Sequence, residues 1–225
     1  MSETLIQTLA VVALPLLFAI TVHEVGHGWM ANRLGDPTAK MLGRLTLNPL
    51  KHIDPIGTVV FPVAMLLMSS LAGGAPFLFG WAKPVPITVE NLKGGRRDMA
   101  LVAVAGPATN LIMALIWAGI GSLVAHLYGG GDAGFATPLL YMAGYGIFIN
   151  MVLMVLNLLP IPPLDGGRIL ESLLPGPLAW KLSRLEPYGM YIILAMILMG
   201  GWELFMQPLI STFTGVILAI FGMNS

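Results

Sequence analysis

The chain has 225 residues, is 56% hydrophobic and only 10% charged, and carries no net charge, with a mean hydropathy of +0.84. Soluble domains carry about a quarter charged residues, so this composition excludes an ordinary water-soluble domain and points to an integral membrane protein. The absence of Cys excludes disulfides and thiolate metal sites, and no basic patch is large enough to suggest nucleic acid.

Long apolar runs mark the spanning helices. The first is predicted from about 5 to 32, with Pro15 as a kink and Gly35-Asp36-Pro37 as the stop. It holds His23, Glu24 and His27 and lacks a basic leader, which argues against a cleaved signal peptide. A second run, Ile56 to Leu71, is short for a span and is followed by Gly73-Gly74-Ala75-Pro76 and the brief apolar Phe77 to Trp81. Region 35–95 is therefore expected to form a re-entrant hydrophobic hairpin, with short strands at Arg44 to Leu47 and Val85 to Val89. Two more helices are predicted at about 97–128 and 138–159, the latter ending in a Pro-rich break. Residues 187–223 predict a C-terminal helical hairpin that turns at Glu203 to Gln207. The expected fold is an all-α polytopic membrane protein forming a single domain over 1–225.

All eleven Lys and Arg lie in three segments: Arg33, Lys40, Arg44 and Lys51; Lys83, Lys93, Arg96 and Arg97; and Arg168, Lys181 and Arg184. The N-terminus, the Gly129 to Ala136 loop and the Glu203 to Gln207 turn carry none. The positive-inside rule puts the three basic segments in the cytoplasm and the N-terminus outside. The stretch between the first two segments then crosses an even number of times or not at all, which is why a hairpin is expected there.

His23-Glu24-Val25-Gly26-His27 is an H-E-x-x-H motif inside the first span. Residues four apart share a helix face, so both imidazoles can reach one zinc ion with Glu24 beside them as general base. Catalytic zinc takes three protein ligands and leaves one position open, and without Cys the third must be His, Asp or Glu. Asp165, three residues before Arg168 and after Pro160, Pro162 and Pro163, is the candidate. It lies at the cytoplasmic end of its helix, and His27 is six residues from Arg33, about 9 Å at the helical rise. Gly166-Gly167 lets the backbone there pass close to a neighbour. The competing structural readings are an interhelical polar pair for the histidines and a turn cap for Asp165; they weaken once the three are taken together. His52 and His126 are expected to be surface residues, and the fifteen Met to be packing or lipid-facing.

The pair His23-Glu-Val-Gly-His27 and Asn157-Leu-Leu-Pro-Ile-Pro-Pro-Leu-Asp165-Gly-Gly-Arg168, with Ala105-Gly-Pro-Ala-Thr-Asn110 between them, resembles the site-2 protease family of intramembrane zinc metalloproteases. The resemblance covers about residues 5–170 and is to the short bacterial group without a PDZ domain, which implies an inner-membrane location. It implies a three-helix catalytic core, here 5–32, 97–128 and 138–159, that cleaves a peptide bond in a single-span membrane protein held in the lipid bilayer. It also implies one Zn²⁺ per chain, held by His23, His27 and Asp165, with Glu24 as the catalytic base. Asn157, and Asn110 with it, become candidates for binding the substrate strand or stabilising the oxyanion. The alternative is a non-proteolytic zinc-binding membrane protein or transporter, but the other helices offer no chain of mid-membrane ligands. A di-iron oxygenase would need more His than the four present.

Overall fold

A computed structural model describes residues 5–60, 64, 68, 82–128 and 134–223. Helix α1 spans Leu5–Leu34, uninterrupted by Pro15. It stops where expected, because Gly35 takes φ 114 and the Asp36 N–H returns to the Ala31 carbonyl at 2.9 Å, the hydrogen bond of a Schellman cap. A single turn, α2 (Thr38–Met41), follows. Two long apolar helices, α3 (Arg96–Tyr128) and α4 (Ala136–Asn157), pack against α1 and each other as a three-helix bundle. Small side chains set the spacing: Ala19, Ala31, Ala103, Ala114, Ala118 and Ala143 are all buried. At Gly26 the backbone of α1 passes so close that an added Cβ would lie 2.9 Å from the Ala105 carbonyl oxygen.

After α4 the chain makes a run of turns and re-enters helix as α5 (Asp165–Leu173), which packs against α3. Arg96 at the start of α3 donates to the carbonyls of Glu171 and Leu174 and secures that contact. Helices α6 (Gly176–Ser183), α7 (Gly189–Met196) and α8 (Gln207–Ile220) complete the chain, with wide helical turns over Ile197–Met206 joining the last two. The break expected at Glu203 to Gln207 lies instead at Gly200, whose φ of 83 and ψ of 13 interrupt the helix. A glycine adopts that left-handed backbone without penalty, whereas Pro208 sits in the first turn of α8, where a missing N–H costs nothing. Met206, Ile210 and Ile217 then bury against Trp117, Ile147 and Met151 of the bundle.

Four helical stretches among the described residues are long and apolar enough to cross a membrane: Val11–Leu34, Arg96–Tyr128, Ala136–Asn157 and Gly176–Ile220. Their outward faces carry Ile112, Leu123, Phe148 and Leu204 exposed, a belt suited to lipid. Of the expected re-entrant region 35–95, residues 61–63, 65–67 and 69–81 lie outside the described residues. The two expected strands are not formed: among the described residues there is no strand at all. Leu45 to Leu47 is a series of bends, and 83–88 is extended but unpaired. The reason is where its donors go. Pro84 and Pro86 have no N–H, while Val85 N–H donates to Glu24 Oε2 at 2.7 Å and Thr88 N–H to Asp36 Oδ2 at 2.7 Å.

Asp36 is fully buried and also accepts from the Thr38 N–H and hydroxyl and from the Asn91 amide, tying the end of α1 to residues 88–91. Burial pushes its carboxyl up, but the hydrogen bonds from Thr38, Asn91 and Thr88 outweigh that and hold it below the ordinary carboxylate value. Since the folded value lies below the unfolded one, this stabilisation is complete above about pH 4 and is lost as pH falls through the folded value. Asp36→Ala is expected to cost about 2–3 kcal/mol at pH 7, the scale of lost hydrogen bonds to a buried charge. Thermal melts in detergent should show the gap to wild type closing below about pH 4.

Candidate metal centre

Helix α1 carries His23 and His27 one turn apart on the face turned toward α3. Their rings meet edge to face, centroids 4.6 Å apart. Helix α3 orients both. The Val102 carbonyl accepts from His27 Nδ1 at 2.7 Å, and Asn110 Oδ1 accepts from His23 Nδ1 at 2.6 Å. Each Nδ1 faces an acceptor and so carries the ring proton, which leaves a lone pair on each Nε2.

Asp165 arrives from the other side as the first residue of α5, with Leu164 extended before it. It is thus the opening residue of a helix, one step beyond the irregular Pro-rich segment expected to present it. The positive end of a helix suits a carboxylate. Gly166 and Gly167 are needed for this placement, since a Cβ on either would overlap the backbone of Leu158 and Leu159 or of Pro162.

The three donor atoms converge. Asp165 Oδ2 lies 3.3 Å from His23 Nε2 and 3.2 Å from His27 Nε2, and the two nitrogens are 3.1 Å apart. All three residues are buried. Two unprotonated imidazole nitrogens and a carboxylate oxygen facing one another repel unless a cation lies among them, and Asp165 Oδ2 has no hydrogen-bond partner among the described residues. Ligands of a tetrahedral zinc ion, bound at about 2.0–2.1 Å, stand about 3.3 Å apart, so the spacing and the donor chemistry both fit.

Glu24, the next residue on α1, is half-buried and is held by the Val85 N–H. Asn157 at the end of α4 is half-buried and donates to the Leu153 carbonyl at 2.9 Å. Asn110 is in a different place from the one expected of a substrate-binding group. It is fully buried inside the bundle, with its amide spent on His23, Ala19 and Asn150. His126 is exposed, as expected, but His52 is not: it is buried, and its Nε2 donates to the Thr46 carbonyl at 2.9 Å. The loop folds over it, since its own carbonyl accepts from the Lys83 N–H.

The model of peptidase family M50 matches residues 120–200, which include Asp165. The chain is 39% identical over 209 residues to "Putative zinc metalloprotease YwhC" of Bacillus subtilis, covering 92% of this chain and 89% of that protein. It is 30% identical over 184 residues to "Putative zinc metalloprotease Rip2" of Mycolicibacterium smegmatis, covering 81% of this chain and 64% of the relative. No solved structure matches. The chain belongs to peptidase family M50, the site-2 protease family. With its four apolar helices this M50 peptidase is a multi-pass membrane protein.

Within the Ala105 to Asn110 segment of this M50 peptidase, one glycine has a role that spacing alone does not reveal. Gly106 of α3 faces both histidines, and a Cβ there would overlap the His27 ring and come within 2.7 Å of His23 Cε1. Its neighbours Pro107 and Asn110 made the segment noticeable, but only the crossing of α1 and α3 shows that the glycine clears space for two rings. Gly106→Ala is expected to push the His27 ring from its place and to lower zinc affinity by about 10-fold or more, as losses of supporting contacts do. Metal content of the purified variant, compared with wild type after identical dialysis, measures this.

Proposed function

We propose that this M50 peptidase is an intramembrane zinc endopeptidase. His23, His27 and Asp165 hold one zinc ion per chain, and the substrate is a single-span membrane protein cleaved in or near its transmembrane segment. The carrying observation is the meeting of three unprotonated donors, two of them on a helix apolar enough to span the bilayer, with Glu24 adjacent. The words "zinc metalloprotease" in the relatives' names support the choice of metal.

Bound zinc supplies a Lewis acid that polarises the scissile carbonyl and lowers the pKa of water toward ~7. Glu24 takes a proton from the attacking water on a carboxylate oxygen and passes it to the leaving amide nitrogen. Its Oε2 is already engaged by the Val85 N–H, which limits the rotation of the carboxylate. Asn157 is the candidate donor to the substrate strand or to the oxyanion. A substrate helix satisfies its backbone internally, so it must unwind before its scissile carbonyl can be reached.

The site lies near the cytoplasmic face in this reading. Arg33, in the last turn of α1, comes only six residues after His27, and Arg168 follows Asp165 by three. The basic segments stand inside and the N-terminus outside, with the inner bacterial membrane as the location. A topology reporter inserted at Gly130 is expected to read outside; a cytoplasmic signal there would overturn the orientation.

Glu24→Gln is expected to abolish cleavage of a model transmembrane substrate while retaining zinc, and His23→Ala to lose both. Cleavage by purified Glu24→Gln within about tenfold of wild type would remove the general-base role, which is worth about 10²–10⁴ in rate.

A further inference from the structure

The hydrogen bonds behind His23 do not end at Asn110. Asn150 of α4 is fully buried, and its Nδ2 donates to the Gly146 carbonyl at 2.8 Å. A carbonyl can only accept, so the amino end of this amide is set and its Oδ1 faces α3. There it accepts from Asn110 Nδ2 at 2.9 Å, and the same nitrogen also donates to the Ala19 carbonyl at 3.2 Å. With its amino end set in turn, Asn110 presents Oδ1 to His23 Nδ1 at 2.6 Å. That oxygen requires a proton on Nδ1 and leaves Nε2 bare toward Asp165 and His27.

From this chain of forced directions, we infer that Asn150 is a positioning residue that sets the tautomer of His23 through Asn110. The inference rests on the reading of His23 as a zinc ligand. Among the described residues Asn150 hydrogen-bonds to Asn110 and Gly146 and to neither histidine ring, so its influence passes through Asn110.

The alternative arrangement explains why a third helix matters. If the Asn110 amide turned over, its NH₂ would face His23 Nδ1, which would then have to accept. The ring proton would move to Nε2 and occupy the coordinating position. Turning Asn110 over would also set its oxygen against Asn150 Oδ1 and the Ala19 carbonyl, in an apolar bundle where such clashes are not relieved by water. Without Asn150, only the longer bond to Ala19 opposes the flip. A merely structural clamp between α3 and α4 would hold the helices together and leave zinc affinity unchanged.

The test uses the purified full-length protein in detergent, with zinc affinity measured by competition against a chromophoric chelator and thermal melts of the metal-free protein recorded in parallel. Asn150→Leu is expected to weaken zinc about 10–100-fold, the range for loss of an outer partner of a ligating histidine. Asn110→Asp supplies the rescue. A carboxylate offers an oxygen to His23 Nδ1 whichever way it turns, so the double variant Asn110→Asp, Asn150→Leu is expected to bind zinc as tightly as Asn110→Asp alone, within about threefold. Unchanged affinity in Asn150→Leu, or a double variant as weak as that single one, would overturn the relay. If Asn150→Leu does not fold, Asn150→Ala decides: it also removes the acceptor for Asn110 and is expected to weaken zinc about 10–100-fold, and affinity within about threefold of wild type contradicts the relay. Wild-type protein that binds no zinc would overturn the metal-centre reading itself, an outcome distinct from tight wild-type binding that Asn150 does not influence.

Discussion

Three electron-pair donors within 3.1–3.3 Å of one another, with no proton to share, are the constraint around which this protein is built. Bringing like partial charges together in a medium poor in water is unfavourable, and only a cation offsets it. The rest of the fold serves that arrangement. Helices α1 and α3 must touch closely enough for Val102 and Asn110 to reach the two rings, which requires a residue without a side chain at Gly106. The start of α5 must tuck under the Pro-rich turn, which requires Gly166 and Gly167.

Inside an apolar bundle the polar groups form closed accounts. Asn110 and Asn150 exchange hydrogen bonds with each other, with His23 and with the carbonyls of Ala19 and Gly146. A buried amide left unsatisfied is costly, so these partners hold the three helices in one relative register and each amide in one orientation. Outside the bundle, two carboxylates do comparable work on an extended segment. Glu24 and Asp36 take the N–H groups of Val85 and Thr88, so the chain over 83–88 lies along α1 without pairing as a strand. The catalytic candidate Glu24 is thereby coupled to a stretch that its position in the chain groups with the hydrophobic hairpin.

Much of this was legible because it depends on periodicity and composition. The core helices follow from unbroken apolar runs, and the end of α1 from Gly35-Asp36-Pro37. The sharing of a face by His23 and His27 follows from the helical repeat. What was not legible depends on partners distant in sequence. His52 looked like a loop residue on the surface because nothing local says that the loop will fold over it. Asn110 looked like a substrate ligand because its motif does not reveal that α1 and α4 enclose it. The break at Gly200 is not legible because Glu203, Gln207 and Pro208 mark a turn just after it, and a glycine in an apolar run can equally be a packing residue.

By itself the sequence determined the chemistry available: the membrane setting, the exclusion of sulfur ligands, two histidines at helical spacing with a carboxylate between them, and a second motif ending in Asp165. Those properties are local, set by side-chain type and by the 3.6-residue period. Only the tertiary structure decided that Asp165 reaches the histidines, which nitrogen of each ring carries the proton, and that this choice traces back to Asn150 on a third helix. Tautomer and amide direction are properties of a hydrogen-bonded network, and a network exists only once helices far apart in the chain are in contact.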